Sequence, residues 1–225
     1  MPTVPNFRDL GSIGSPQTTP PTRAKAIRVL GICFEYDRMY EEIWKHVASG
    51  IRANADVVER ATTVEAAFTM LSQNPSPSII LVADGGITRQ KKVFERVADR
   101  LREGSTVILA GCFSSFVSVG EFHRFFTRLG LPWRIGSYHR ADVGLRMSAL
   151  GAVRGADRLP ASYSQKALFV SGVDGSTAWY TEEPSSREAA VAWTKVGSGH
   201  LGYVGDVNGE KESLDVVMAM CGFLG

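Results

Sequence analysis

The chain has 225 residues, which is enough for one well-buried α/β domain, and its 25 Lys and Arg against 23 Asp and Glu give a formal charge of +2. The basic residues are scattered and not gathered on one segment, which argues against a surface that follows nucleic-acid phosphates. The three cysteines are Cys33, Cys112 and Cys221, and their spacing does not match that of zinc ligands. They lie far apart in apolar runs, which is typical of buried free thiols in a reducing compartment.

The first 24 residues differ in composition from the rest of the chain. They hold five of the ten prolines and little apolar material, which predicts an arm over residues 1–24 followed by one domain over residues 25–225. The arm contains no apolar core of signal-peptide length, and no stretch of the chain approaches the ~18 apolar residues that a membrane span needs. We therefore expect a cytoplasmic protein without membrane or nucleic-acid partners, in which the arm packs on the domain or forms a homodimer contact.

From Lys25 onward, strand-like and helix-like segments alternate. The predicted strands read AIRVLGIC (26–33), DVVER (56–60), SPSIILVAD (76–84) and TVILAG (106–111), of which the third is an unbroken apolar run. Amphipathic patterns predict helices between them, and a capping box formed by Ser118 and Glu121 opens a further helix after the fourth strand. Because parallel strands need right-handed crossovers and these helices supply them, the pattern predicts a three-layer, flavodoxin-like, doubly wound α/β sheet that is mostly parallel.

Past Pro132 the pattern changes to short extended pieces. Near the end of the chain, the segments AAVAWTKV and HLGYVGDV are joined by Gly197, Ser198 and Gly199, which predicts a C-terminal β-hairpin. A final helix is predicted over roughly residues 210–223, where the apolar side chains recur at helical spacing.

Polar side chains follow several of the predicted strands at the points where those strands end. In open parallel sheets the ligand crevice lies beyond the carboxyl ends of the strands. This rule selects a set of strand-end residues: Glu35, Tyr36, Asp84, Cys112, Ser114, Ser115, Asp206 and Asn208. The segment GSYHR adds Tyr138, His139 and Arg140, if it folds back over the same rim.

Carboxylates that share a crevice with an imidazole can be tuned for proton transfer. We therefore expect proton transfer by four residues, namely His139, Glu35, Asp84 and Asp206. The expected substrate-binding residues are Tyr36, Ser114, Ser115, Tyr138, Arg140 and Asn208. Structural roles stay open for many of them, because carboxylates and serines in these positions also cap helices and shape turns. No metal and no organic cofactor is expected.

Cys112 has two interpretations, a nucleophile or a buried structural thiol. A nucleophile elbow places its residue on a tight strand-to-helix turn, where the helix N-terminus lowers the thiol pKa and amides form an oxyanion hole. Here the capping box starts the next helix six residues past Cys112. A nucleophilic thiol also needs a base, and by position His139 is the candidate.

Two stretches together resemble a known family: GSTVILAGCFSSFVSVGEFHRFFTRLGLPWRIGSYHR and VGSGHLGYVGDVNGEKESLDVVMAMCG. They are similar to fungal members of the class I glutamine amidotransferase-like superfamily, near its trehalose-utilisation (ThuA-like) branch, and with the strand order the likeness covers about residues 25–225. In the amidotransferases a cysteine after a central strand attacks glutamine, and a histidine and a glutamate after the last long strand assist it. Cys112 matches the cysteine by position, whereas the last strand ends on Asp206 and the glycine-cysteine-x-glycine elbow is missing.

Three functions follow as hypotheses. The first is a small-molecule enzyme that uses cofactor-independent acid-base chemistry in the strand-end crevice, such as hydration, elimination, isomerisation or cyclisation. The resemblance alone suggests that such an enzyme would act in fungal specialised metabolism. The second is a non-catalytic binding or assembly protein that kept the fold and lost the triad. The third is a Cys112-dependent hydrolase or amidotransferase.

Overall fold

The structure is a computed structural model that describes residues 26–151 and 153–224, without the side chains of several residues in the first half of the first helix. The predicted arm over residues 1–24 lies outside the described residues. Within these ranges no helix is long and apolar enough to cross a membrane.

The described residues form ten strands and seven α-helices. The strands are β1 (Arg28–Ile32), β2 (Val57–Ala61), β3 (Ile79–Val82), β4 (Thr106–Leu109), β5 (Arg134–Leu145), β6 (Ser162–Ser171), β7 (Ala178–Thr181), β8 (Glu188–Ala189), β9 (Val191–Val196) and β10 (Gly199–Val204). The helices are α1 (Asp37–Asn54), α2 (Val64–Leu71), α3 (Lys91–Glu103), α4 (Phe113–Phe116), α5 (Val119–Arg128), α6 (Met147–Leu150) and α7 (Lys211–Met220). All ten strands join one sheet, in the order β2-β1-β3-β4-β10-β9-β7-β5-β6-β8.

The first half of the sheet is parallel and covered on both faces. Strands β2, β1, β3, β4 and β10 pair in parallel, and their nearly continuous apolar sequences suit strands that are buried on both sides. One face packs against α1 and α7, through residues such as Val47 and Val217. The other face packs against α2, α3 and α5, where Leu71, Leu101 and Phe122 are fully buried. This half brings the carboxyl ends of five strands to one edge.

The second half of the sheet is antiparallel, and it overturns the predicted fold class. The pairs β10-β9, β9-β7, β7-β5, β5-β6 and β6-β8 are all antiparallel, so five of the nine neighbouring pairs run in opposite directions. The prediction of a mostly parallel, flavodoxin-like, three-layer sheet is therefore wrong. The physical reason lies past residue 132, where the connections between the long strands carry no helix long enough for a parallel crossover. At the predicted hairpin, β9 and β10 pair directly, with Val196 opposite Gly199.

The antiparallel strands curl until β6 meets the segment that follows β10. The Leu168 amide donates to the Gly205 carbonyl at 2.9 Å, the Val207 amide donates to the Lys166 carbonyl at 3.0 Å, and Ala167 pairs with Asp206. Gly205 is needed at this contact, because a Cβ there would overlap the Leu168 carbonyl oxygen. The closure places Asp206 opposite Ala167 of β6.

Candidate functional site

Asp84 is the centre of a hydrogen-bond cluster at the ends of β1 and β3. Its side chain is buried, with 1% of its surface exposed. One carboxylate oxygen accepts from the Cys33 thiol at 3.2 Å and from the Glu35 amide at 2.8 Å. The same oxygen accepts from the Tyr36 amide at 3.4 Å, and the other accepts from the Gly86 amide at 2.8 Å. Four protein donors therefore occupy the carboxylate, which fixes the turn after β1 and caps the 3-10 helix Gly85–Arg89.

Two thiols lie beside Asp84, and both are buried. Burial raises the pKa of Cys33 to about 12, and the charge of Asp84 and the hydrogen bond to it act in the same direction. Burial also raises the pKa of Cys112 to about 11, again helped by Asp84. Cys112 directly precedes the four-residue helix α4, and its sulfur caps no backbone amide there. A nucleophilic cysteine needs a lowered pKa, so this environment is that of a structural thiol.

Glu35 is paired with a residue that the sequence analysis did not select. The Arg89 guanidinium bonds to the Glu35 carboxylate, and its other terminal nitrogen lies 3.1 Å from a Glu121 oxygen. Glu121 also completes the predicted capping box with Ser118, which the structure contains. Tyr36 stacks on the exposed Phe116, with ring centroids 3.9 Å apart. Arg89 follows the DGGIT segment, and only its position after a strand end could have indicated it.

The two serines after Cys112 have different environments. The Ser114 hydroxyl is buried and donates to the Val204 carbonyl at 3.2 Å, which ties α4 to the end of β10. Ser115 is exposed beside it. Of the two predicted ligand donors, Ser114 is thus already used for a structural hydrogen bond, while Ser115 faces solvent.

Asp206 holds the loop between β10 and α7. It is 1% exposed. One oxygen accepts from the Asn208 amide at 2.8 Å and the Gly209 amide at 3.2 Å, and the other accepts from the Glu210 amide at 2.7 Å. Burial raises the pKa of Asp206 despite these hydrogen bonds. The carboxylate stabilises the turn that starts α7, as an acidic residue before a helix commonly does.

The GSYHR residues lie on β5, near the Asp206 loop. The His139 Nε2 lies 3.1 Å from a Glu182 oxygen, and the imidazole stacks on Phe169 with centroids 4.9 Å apart. Arg140 donates to Glu210 at 2.9 Å. The Asn208 side-chain amide reaches the same Glu210 oxygen at 3.5 Å. Tyr138 is 55% exposed, and the Lys166 ammonium lies 5.2 Å from the centre of its ring.

The predicted site residues therefore form two groups. Cys112, Glu35 and Tyr36 lie beside Asp84. The second group, His139, Arg140 and Asn208, lies near Asp206. Ser114 bonds to the end of β10. No hydrogen bond or ion pair joins the side chains of one group to those of the other in the part of the chain that the structure describes. Nor are three His, Cys, Asp or Glu side chains within residues 26–151 and 153–224 placed to hold a metal ion together.

Two cavities lie beside α1. The first has a volume of about 310 Å³ and lies between α1 and the strands β2, β1 and β3, with Gly31 in its floor. The second, of about 570 Å³, lies between α1 and α7 and is lined by residues such as Val47, Leu214 and Met218. None of the predicted site residues is among the described residues that line either cavity. Sequence patterns do not reveal such spaces, because they arise from how a helix sits on the sheet.

Comparisons with known proteins bear on the fold. No family model matches the sequence, and no curated protein sequence matches it. Among solved structures, the chain is similar to a protein described as ThuA-like from Bacteroides uniformis, with 10% identity and a TM-score of 0.58 over 91% of this chain and 92% of that one. A second protein described as ThuA-like, from Parabacteroides merdae, has 11% identity and a TM-score of 0.52 over 89% and 88%. The fold is ThuA-like.

The same fold occurs inside larger enzymes. A β-galactosidase from Bacillus circulans matches with 12% identity and a TM-score of 0.55 over 88% of this chain. The chain spans only 31% of that β-galactosidase. At such identities the likeness concerns the fold alone, so the chemistry has to be argued from the residues of this chain.

Proposed function

We propose that this chain is a non-catalytic domain that binds a small molecule in the cavity between α1 and the sheet. The observation that carries the proposal is the state of Asp84: its carboxylate is buried and occupied by four protein donors. A carboxylate that is 1% exposed and holds four protein donors is shielded from a substrate, and it helps burial to raise the pKa of the neighbouring Cys112 thiol. In this proposal, the strand ends around Asp84 and Cys112, which correspond by position to the amidotransferase site, have a structural role and no catalytic one.

The cavity has the properties of a ligand site. Its volume of about 310 Å³ lies at the lower end of the ~300–1,000 Å³ that is usual for small-molecule pockets. Val29 and Leu81 form an apolar floor with Gly31 between them. Gly31 leaves this floor open, because an added Cβ would meet only the Glu59 carbonyl oxygen, at 3.9 Å.

The substitution Gly31→Leu tests the proposal. The new side chain projects into the cavity without a close contact at Cβ, so we expect N-phenyl-1-naphthylamine, a neutral apolar dye that fluoresces in apolar cavities, to bind the native chain and to bind the variant at least about tenfold more weakly. The thermal midpoint should not fall, since a strand glycine is replaced.

Gly144→Leu serves as the matched control for this variant, because Gly144 is also a strand glycine with open space around its Cβ and lies on β5, outside the cavity. Equal dye binding by Gly31→Leu, Gly144→Leu and the native chain would contradict the proposal.

A second candidate function is acid-base catalysis at His139, and the observation that favours it is the hydrogen bond to Glu182. A carboxylate bonded to one imidazole nitrogen orients the ring and leaves the other nitrogen for proton transfer. We expect, if this function holds, that the native chain consumes a component of a metabolite extract, followed by mass spectrometry, and that His139→Gln does not. His123→Gln is the control, because His123 contacts Arg134 and not a carboxylate. Equal consumption by His139→Gln and the native chain would exclude this candidate.

A further inference from the structure

We infer that the cavity between α1 and the sheet binds a small organic anion with an apolar body, such as a carboxylate, sulfonate or phosphate ester. This inference rests on the proposed function for the place of the ligand. It adds the class of the ligand, and it follows from the charges around the cavity mouth.

The mouth carries two cations from one face of α1. Lys45 and Arg52 both line the cavity and are exposed at its edge. They are seven residues apart, which is two helical turns, so their side chains project from the same side of the helix about 10 Å apart along its axis. A ligand that enters the cavity passes between them.

The wall on β2 contributes Arg60 and Glu59 to the lining of the cavity. The acidic residue among the described lining residues is Glu59, whose carboxylate bonds to Arg28 at 2.7 Å. Arg28 also donates to Gln73 at 2.6 Å, at the end of α2, so the Glu59 carboxylate is held towards the opposite face of the sheet. The described side chains that face the opening therefore favour a negative charge.

The apolar floor of the cavity favours a ligand whose uncharged part is apolar. Val29, Ile51 and Leu81 line the cavity together with Lys45 and Arg52, and each of the three apolar side chains is at most 2% exposed. A fully hydrated inorganic anion gains nothing from such a floor, whereas a hydrocarbon chain or ring is removed from water by it. The cations then bind the charged group at the mouth, where arginine and lysine form charge-assisted hydrogen bonds with carboxylate, sulfonate or phosphate oxygens.

Two dyes with the same apolar body test this inference: 8-anilinonaphthalene-1-sulfonate, which is an anion, and N-phenyl-1-naphthylamine, which is neutral. We expect the native chain to bind the sulfonate at least about tenfold more tightly than the neutral dye at low salt. This preference should shrink to about twofold in the variant Lys45→Gln with Arg52→Gln, and it should weaken in the native chain as salt is added. Lys195→Gln with Arg187→Gln, which removes two cations from outside the cavity lining, is the control.

The two dyes separate the failure of this inference from the failure of the proposed function. Equal affinity of the native chain for both dyes, with loss of both in Gly31→Leu, would overturn the anionic class and leave the binding function in place. A preference for the sulfonate that survives in Lys45→Gln with Arg52→Gln would also overturn it. Failure of the native chain to bind either dye would overturn the proposed function itself. Cooperative thermal unfolding of each variant shows that the dyes report on the folded chain.

Discussion

Replacing Asp84 with Ala is expected to lower the free energy of unfolding by ~3–5 kcal/mol. The carboxylate is buried and accepts hydrogen bonds from one thiol and three backbone amides. Alanine leaves these donors without an acceptor in a site that water enters poorly, and unmade buried hydrogen bonds are more damaging than the loss of a favourable pair. Urea denaturation measures the difference, provided that the slope of the transition is unchanged.

Glu35→Ala is the matched control for Asp84→Ala. Glu35 lies in the same cluster but bonds to Arg89 at the surface, where both side chains are more than a third exposed. Exposed ion pairs contribute little, so we expect a change below about 1 kcal/mol. Asp84→Asn should fall between the two, because the amide keeps one acceptor oxygen and presents an N–H₂ group to the remaining amides. Asp84→Ala that unfolds at the same urea concentration as the native chain would show that the cluster is not structural.

The parallel half of the sheet could be predicted from the sequence. Strands β3 and β4 are apolar runs, and the predicted strand 106–111 contains the observed β4. The capping box of Ser118 and Glu121 was also predicted correctly, because its residue types and spacing are specific. These features depend on residues that are close together in the chain.

The antiparallel half and the division of the site could not be predicted in the same way. In β5, alternating polar residues such as Tyr138, Arg140 and Asp142 face outwards, so the segment lacks the apolar run that marked the first strands. The pairing of Ala167 with Asp206 joins segments about forty residues apart and depends on how the sheet curls. This bridge ties Asp206 to β6, which local patterns do not specify.

The cavity beside α1 shows a different limit of sequence reasoning. Gly31 lies inside a strand that reads as an ordinary buried run, and nothing local distinguishes an empty floor from a packed one. Lys45 and Arg52 read as the solvated face of an amphipathic helix. Only the placement of α1 on the sheet brings the glycine and the two cations to the same cavity.

The reactivity of Cys112 tests most directly the central claim that the strand-end rim is structural. With a pKa of about 11, only about one Cys112 thiol in a thousand is ionised at pH 8, and the thiolate is the form that reacts with iodoacetamide. Because the pKa is raised, the ionised fraction grows as the pH increases and has no plateau below the pKa. Burial of the sulfur slows the reaction further.

The measurement is the rate of Cys112 alkylation by iodoacetamide between pH 7 and pH 10, with the modified residue identified by peptide mass spectrometry. We expect the rate in the native chain to rise about tenfold per pH unit without a plateau, and to be at least about a hundredfold below that of the urea-unfolded chain at pH 8. Cys221, whose pKa burial raises to about 12, should react more slowly still. Rapid and selective alkylation of Cys112 at pH 7, with a plateau below pH 8, would contradict the account.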